Sequence, residues 1–252
     1  VNETTNNKPK FLDYLNIYEF ETVLPGSGET VKFKPLTTGQ LKKLLIYENE
    51  TNIMVQEDAL DELIGSCVIS ENFDIDNLYL QDRFFLLMEI RKKTKGEKFD
   101  FTYKCPKCES QILNSINLDD LKVTKIPEDI DNSLALTDHI GISLRHIKRK
   151  DFKTISKYID IKDKTELQIN SEIQTALFAA GIEAIATQDG VEEDISLVNK
   201  MYLVDNVPTS AFELIKKWYE DNDFGLDMVI SASCSNCGHK EITDVPMGNF
   251  FL

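Results

Sequence analysis

The sequence predicts an α+β chain of two similar helix-rich halves, each with a small antiparallel hairpin bearing a Cys-X2-Cys knuckle, joined at one zinc site. Three observations carry this expectation. Segments of alternating apolar residues run directly into Cys105-Pro106-Lys107-Cys108 and into Cys234-Ser235-Asn236-Cys237, the pattern of a strand that ends in a metal-binding turn. Between these points lie stretches whose apolar residues recur every three or four positions, the period of a half-buried helix. The same succession of elements is then met twice along the chain.

Taken in order, residues 1–17 form a flexible N-terminal tail, rich in Asn and Thr at its start. The first half spans 18–122. It opens with a hairpin over 18–36, YEFETVL and ETVKFKPL around a Pro-Gly-Ser-Gly turn. Helices follow at about 38–48, 55–69 and 77–94, the last with Phe84, Leu87 and Ile90 along one face. Arg91, Lys92 and Lys93 sit in its last turn, where positive charge suits the helix dipole, and Gly96 marks its stop. FDFTY then leads as a strand into the first knuckle, and ILNSINL returns. A linker over 123–138 precedes the second half, 139–252. That half reads as strand ISLRHI, helices at about 150–160 and 169–187, a turn at Asp189-Gly190, and a short helix near 195–204. A helix at 209–222, opened by Pro208 and a Ser210/Glu213 capping box, is followed by strand DMVISAS and the second knuckle.

The parallel can be followed residue by residue. Val31, Phe33, Leu36, Leu41 and Leu44 fall on Ile142, Leu144, Ile147, Phe152 and Ile155 at a constant offset of 111. ALDELIGSCV at 59–68 falls on ALFAAGIEAI at 176–185 with offset 117, and GEKFDFTYKC on GLDMVISASC with offset 129. The offsets only grow, as loop insertions require, which reads as duplication of a strand-helix-helix-helix-hairpin unit.

A Cys-X2-Cys turn brings two sulfurs close enough to share a metal, and two such turns complete a tetrahedral four-thiolate shell. Cys105, Cys108, Cys234 and Cys237 are therefore the expected ligands of one structural zinc, with no open position for activating water. The 125 residues between the pairs exceed the usual spacer of a zinc ribbon. Three alternatives stand beside this reading: a redox dithiol, a metal shared across a dimer, and an iron–sulfur cluster. Cys67, on an apolar helix face, reads as core.

Composition narrows the function classes. A chain of 252 residues with 42% hydrophobic residues is long enough for a sizeable core. A net charge of −15 and a pI near 4.7 argue against nucleic acid as a partner, because phosphate contacts need clustered cations. The longest apolar stretch, 176–186, is too short to span a bilayer, so no membrane is expected. A reducing cytosol is the natural place of synthesis, where spaced cysteines read as metal ligands rather than disulfides. Only His139, His146 and His239 are available, none in a protease spacing, and neither a phosphate loop nor a dinucleotide fingerprint occurs. No catalytic residue and no enzyme activity is expected. Two basic clusters, 91–98 and 145–153, read either as helix-end solvation or as docking sites for an acidic partner surface. The final Phe250, Phe251 and Leu252 are a candidate partner contact.

Together, Leu24-Pro25, VKFKPLTTGQLKKLL, LIGSCV, LYLQDRFFLLMEIRKKTKG, YKCPKC, CSNC and the terminal Phe-Phe resemble the baseplate hub and hub-assembly protein family of T-even-type contractile-tailed bacteriophages. The resemblance covers about residue 18 to the end, through the order of motifs more than through any one of them. It implies a non-enzymatic structural or assembly role, chaperone-like if the protein leaves after assembly, with other baseplate hub or tail proteins as partners. The place of action it implies is the host cytoplasm during assembly, or the tail baseplate of the virion. A zinc-ribbon nucleic-acid or transcription-associated module is the alternative, and salt-sensitive DNA binding would favour it.

Overall fold

The computed structural model describes residues 15, 18–47, 50, 52–159 and 164–245. Of the N-terminal tail, 1–17, Leu15 alone is among the described residues. β1 (Phe20–Val23) and β2 (Thr30–Phe33) form the first hairpin. Its loop is tied down where the Gly26 and Ser27 amides donate to the Asp82 carboxylate at 2.6 and 2.8 Å. α1 (Thr38–Leu44) opens on a capping box, in which Thr37 Oγ1 accepts from the Gln40 amide and Gln40 Oε1 from the Thr37 amide. Two otherwise unpaired first-turn donors are thereby satisfied. α2 (Ile53–Cys67) and α3 (Leu80–Lys95) follow. α3 ends at Gly96, whose φ of +89° suits a residue without Cβ. β3 (Lys98–Lys104) and β4 (Gln111–Asn117) then pair antiparallel from Lys98↔Asn117 to Lys104↔Gln111.

The chain continues through β5 (Val123–Thr124), β6 (Ser133–Ala135), β7 (Gly141–Leu144), α4 (Arg149–Ile155) and α5 (Glu166–Ala180). Next come β8 (Ile182–Thr187), β9 (Gly190–Glu192), α6 (Leu197–Asn206) and α7 (Thr209–Asp221). β10 (Gly225–Leu226), β11 (Val229–Ser233) and β12 (Lys240–Asp244) complete the described order. Strands β6-β7-β8-β9 make an antiparallel four-stranded sheet, β10 pairs back onto β5, and β11 and β12 form a second ribbon.

Three details depart from the sequence reading. The helix expected over 169–187 stops at Ala180, and 182–187 is strand β8 paired with β7. β-Branched Ile182, Ile185 and Thr187 favour the strand once a partner exists, and Gly181 makes the switch possible. A Cβ there would lie 1.8 Å from Tyr219 Oη and 2.9 Å from the Arg145 carbonyl oxygen. Secondly, the segment 123–138 expected as a linker contributes β5 and β6 to sheets. Thirdly, α7 begins after Pro208 without any side-chain cap: Ser210 lies inside the helix, and Glu213 pairs with Lys216 at 3.1 Å.

Helix lengths and spacings recur along the chain beyond the cysteines. Thr38 and Arg149, which open two seven-residue helices, are 111 apart. Ile53 and Glu166, which open two fifteen-residue helices, are 113 apart, whereas the sequence pattern gave 117. The discrepancy of four residues is about one helical turn, which leaves apolar residues in phase and so cannot be seen in the pattern. After each long helix the chain returns to the hairpin: Lys34 donates its amide to the Cys67 carbonyl and Arg145 to that of Gly181, both at 2.9 Å. The bridge Phe33↔Val68 has its parallel in Leu144↔Ile182.

Two principal cores result. One gathers Phe33, Ile64, Leu86, Met88, Ile90, Phe99 and Phe101, and the other Leu144, Ile182, Ala211, Ile215 and Trp218. The C-terminal segment crosses over: Leu226 of β10, Met228 just before β11 and Ile230 of β11 pack on the first core, and Val245, just after β12, is buried within it. No helix among the described residues is long and apolar enough to cross a membrane.

Candidate metal centre and its counterpart at the seam

Each knuckle follows a helix, a left-handed glycine and a strand. Gly225 has φ +97° after α7, as Gly96 has +89° after α3, and each lies nine residues before its first cysteine. Alternation in β3 turns Phe99 and Phe101 inward and delivers Cys105 buried at the strand end. Cys105 donates its amide to the Ser110 carbonyl at 3.0 Å, and Glu109 donates to the Cys105 carbonyl at 2.9 Å. The second turn repeats both bonds, Cys234 to His239 at 2.8 Å and Gly238 to Cys234 at 2.9 Å. Glu109 and Gly238 hold equivalent left-handed positions, with φ of +59° and +69°.

This geometry brings all four predicted ligands together. Their sulfurs lie within 4.8 Å of one another, with Cys105 Sγ 3.8 Å from Cys237 Sγ and Cys108 Sγ 3.6 Å from Cys234 Sγ. A tetrahedron with metal–sulfur bonds of about 2.3 Å has edges of about 3.8 Å, so the set fits one metal ion. The cysteines are free thiols, and neither pair opens a helix, because β4 and β12 follow as strands. The helix N-terminus that activates redox dithiols is thus missing. His239 contributes its backbone, while the clustered ligand atoms are the four cysteine sulfurs.

Polar neighbours favour the thiolate form at Cys108. The Ser110 hydroxyl and backbone amide, followed by the Asn236 side chain, push its pKa down to about 5. Asn236 Nδ2 lies 3.6 Å from Cys108 Sγ and donates to Ser110 Oγ at 2.9 Å, so the second knuckle directly supports the first. Four sulfurs at these separations repel one another as anions, and a cation among them relieves that repulsion.

Comparison with known families agrees with the order of motifs. The family model described as T4 bacteriophage base plate protein matches residues 16–252. The chain belongs to this family. No curated protein and no solved structure matches it. The chain is accordingly a bacteriophage baseplate protein of α+β fold whose cysteine cluster is compatible with metal binding.

Within this baseplate protein the basic residues have a role that the sequence did not disclose. Arg149, 1% exposed, donates from Nε to Asp61 at 2.8 Å and from Nη2 to Asp58 at 2.9 Å. Asp61 also accepts from Arg83 Nε at 2.6 Å and pairs with Lys153 at 3.3 Å, while Lys153 reaches Asp76. Arg145 forks onto Asp151 at 2.7 and 2.9 Å, and Lys150 donates to Asn77 Oδ1. Much of this second basic cluster is received by Asp58, Asp61, Asp76 and Asn77 of the same chain. In the first cluster, Arg91 donates to the Gly96 and Lys98 carbonyls and stacks on Phe99, and Lys92 pairs with Glu89 and Asp119.

Backbone bonds accompany the ionic seam. Leu80 donates to the Ile147 carbonyl at 3.1 Å and Arg149 to that of Leu78 at 2.9 Å. Beside them His146 is packed among Tyr79, Trp218, Tyr219 and Phe224, with neither ring nitrogen hydrogen-bonded among the described residues. Burial pushes its pKa below the ordinary value, against the partial counter-pull of Asp223. Phe250, Phe251 and Leu252, the candidate partner contact, lie outside the described residues.

Proposed function

We propose that the protein is a non-enzymatic structural or assembly component of the phage baseplate hub, built from two duplicated halves that one structural zinc cross-links through Cys105, Cys108, Cys234 and Cys237. The family match over 16–252 carries the baseplate role. The tetrahedral spacing of four sulfurs, two from each half, supports the zinc. Duplication is supported by the repeated hairpin, helix and knuckle spacings and by the equivalent left-handed residues at 96 and 225 and at 109 and 238.

On this reading the metal supplies only cross-linking. A shell filled by thiolates has no vacant position for substrate or water, and the chain's own contribution is to hold the sulfurs in place with amide donors and Asn236. Function then resides in surfaces offered to neighbouring hub or tail proteins, with the C-terminal Phe250, Phe251 and Leu252 as one contact. Co-expression of the full chain with tail proteins, beside a form ending at Gly248, tests this. The proposal expects a stable complex with at least one baseplate protein, weakened by the truncation. Equal binding by both forms removes the terminal contact, and absence of any tail-protein complex contradicts the role.

A further inference from the structure

The seam between α2 and α4 is open on one side, as a cleft of about 560 Å³. Asp58, Asp61 and Glu62 line one wall and Arg149, Lys153 and Lys157 the other. These charges are unequally engaged. Arg149 uses Nε and Nη2 on the two aspartates and its guanidinium lies over the Phe152 ring, yet its buried Nη1 has no hydrogen-bond acceptor among the described residues. A guanidinium presents five N–H donors in a plane, and a buried one left unpaired is costly enough that native structures nearly always supply a partner. Lys157 is exposed and forms no ion pair among the described residues. Asp58, whose side chain is 67% exposed, is free to swing aside from Nη2.

We infer that this cleft receives a carboxylate side chain from a neighbouring baseplate protein, held by the Arg149 guanidinium and the Lys157 ammonium. The planar fork of arginine matches the two oxygens of a carboxylate. A phosphate dianion is disfavoured by the three carboxylates of the opposite wall, which a singly charged group tolerates better. Met54 among the lining residues offers apolar contact to the methylenes of an incoming Asp or Glu. The source of the carboxylate rests on the baseplate role proposed above, but the site itself does not.

Two measurements separate these. In the full-length protein, the side-chain nitrogen resonances of Arg149 are followed by NMR during titration with sodium acetate at ionic strength balanced by chloride. A saturable shift is expected, weakened about three- to fivefold in Lys157→Ala, the scale of one partly exposed charge pair, and abolished in Lys157→Glu. A linear response, or one unchanged in Lys157→Glu, overturns the site. In assembled baseplates, carbodiimide coupling is expected to join Lys157 to an Asp or Glu of another protein. Saturable acetate binding with coupling only to this chain's own Glu62 contradicts the partner while leaving the site standing. If the protein is missing from baseplates and from their assembly intermediates, it is the hub role that fails.

Discussion

Residues 18–122 and 139–245 meet at two chemically different junctions, one of thiols and one of buried ions. At the first, four cysteines from two short turns converge to within 4.8 Å. At the second, Asp61 from α2 accepts from Arg83 of α3 and from Arg149 of α4, 88 residues away. The thiol junction announces itself in local spacing, because ligands for one metal must come from a tight turn. The ionic junction has no local signature, since a buried aspartate and arginine find each other only after the helices have packed. Chemistry encoded within four residues is therefore legible in a sequence, and chemistry encoded between elements is not.

The contrast can be broken by removing one member from each junction. Cys105→Ser opens the thiolate shell, and the variant is expected to lose its bound metal together with several kcal/mol of stability, since structural zinc in small peptides is worth about 10–16 kcal/mol of apparent folding free energy. Metal content and chemical denaturation, measured on the same preparation, check this. Retention of full metal content and stability would break the pairing of the two halves through the metal. Asp61→Ala leaves Arg83 and Arg149 buried with reduced pairing, with side-chain exposures of 7% and 1%. A loss of about 3–5 kcal/mol is expected, with bound metal retained. Asp61→Asn, which keeps the shape, should recover less than half of it. A loss of metal in Asp61→Ala would mean that the junctions are one cooperative unit.

The aromatic pocket beside the ionic seam gives a pH signature. Since the folded state holds the His146 pKa below its ordinary 6.5, the folded chain binds fewer protons than the unfolded chain as pH falls through that value. Stability should therefore be flat in this contribution above about pH 7 and decline below about 6.5, by at most about 1.4 kcal/mol per pH unit. Urea denaturation from pH 7.5 to 5.5 should reveal the slope, and His146→Phe should reduce it. The smallest expected effect belongs to Asn236→Ala, which removes the bond to Ser110 across the thiol junction. About 1 kcal/mol is expected, measured by the same denaturation at pH 7.5.

Other features divide along the same line between local and long-range information. Helices α1, α2, α3 and α7 and the first knuckle hairpin were readable because their periodicity and stop signals are local, as with Gly96 after three lysines in the last turn. Strand β8 was not, because residues 182–187 continue the apolar run of α5 and become a strand only through pairing with β7. The crossing of the C-terminal segment onto the first core, through Ile230 of β11 and Val245 just after β12, likewise depends on distant packing. The basic stretch 145–153 was readable as charge, but much of its acidic counterpart proved to be Asp58, Asp61 and Asp76 of the same molecule.

The central claim, that one metal joins two halves of a single chain, is tested most directly by elemental analysis combined with native mass measurement. One zinc per chain in a monomer is the expected result. Two zincs per dimer, with cysteine variants that restore each other's metal binding when mixed, would contradict it.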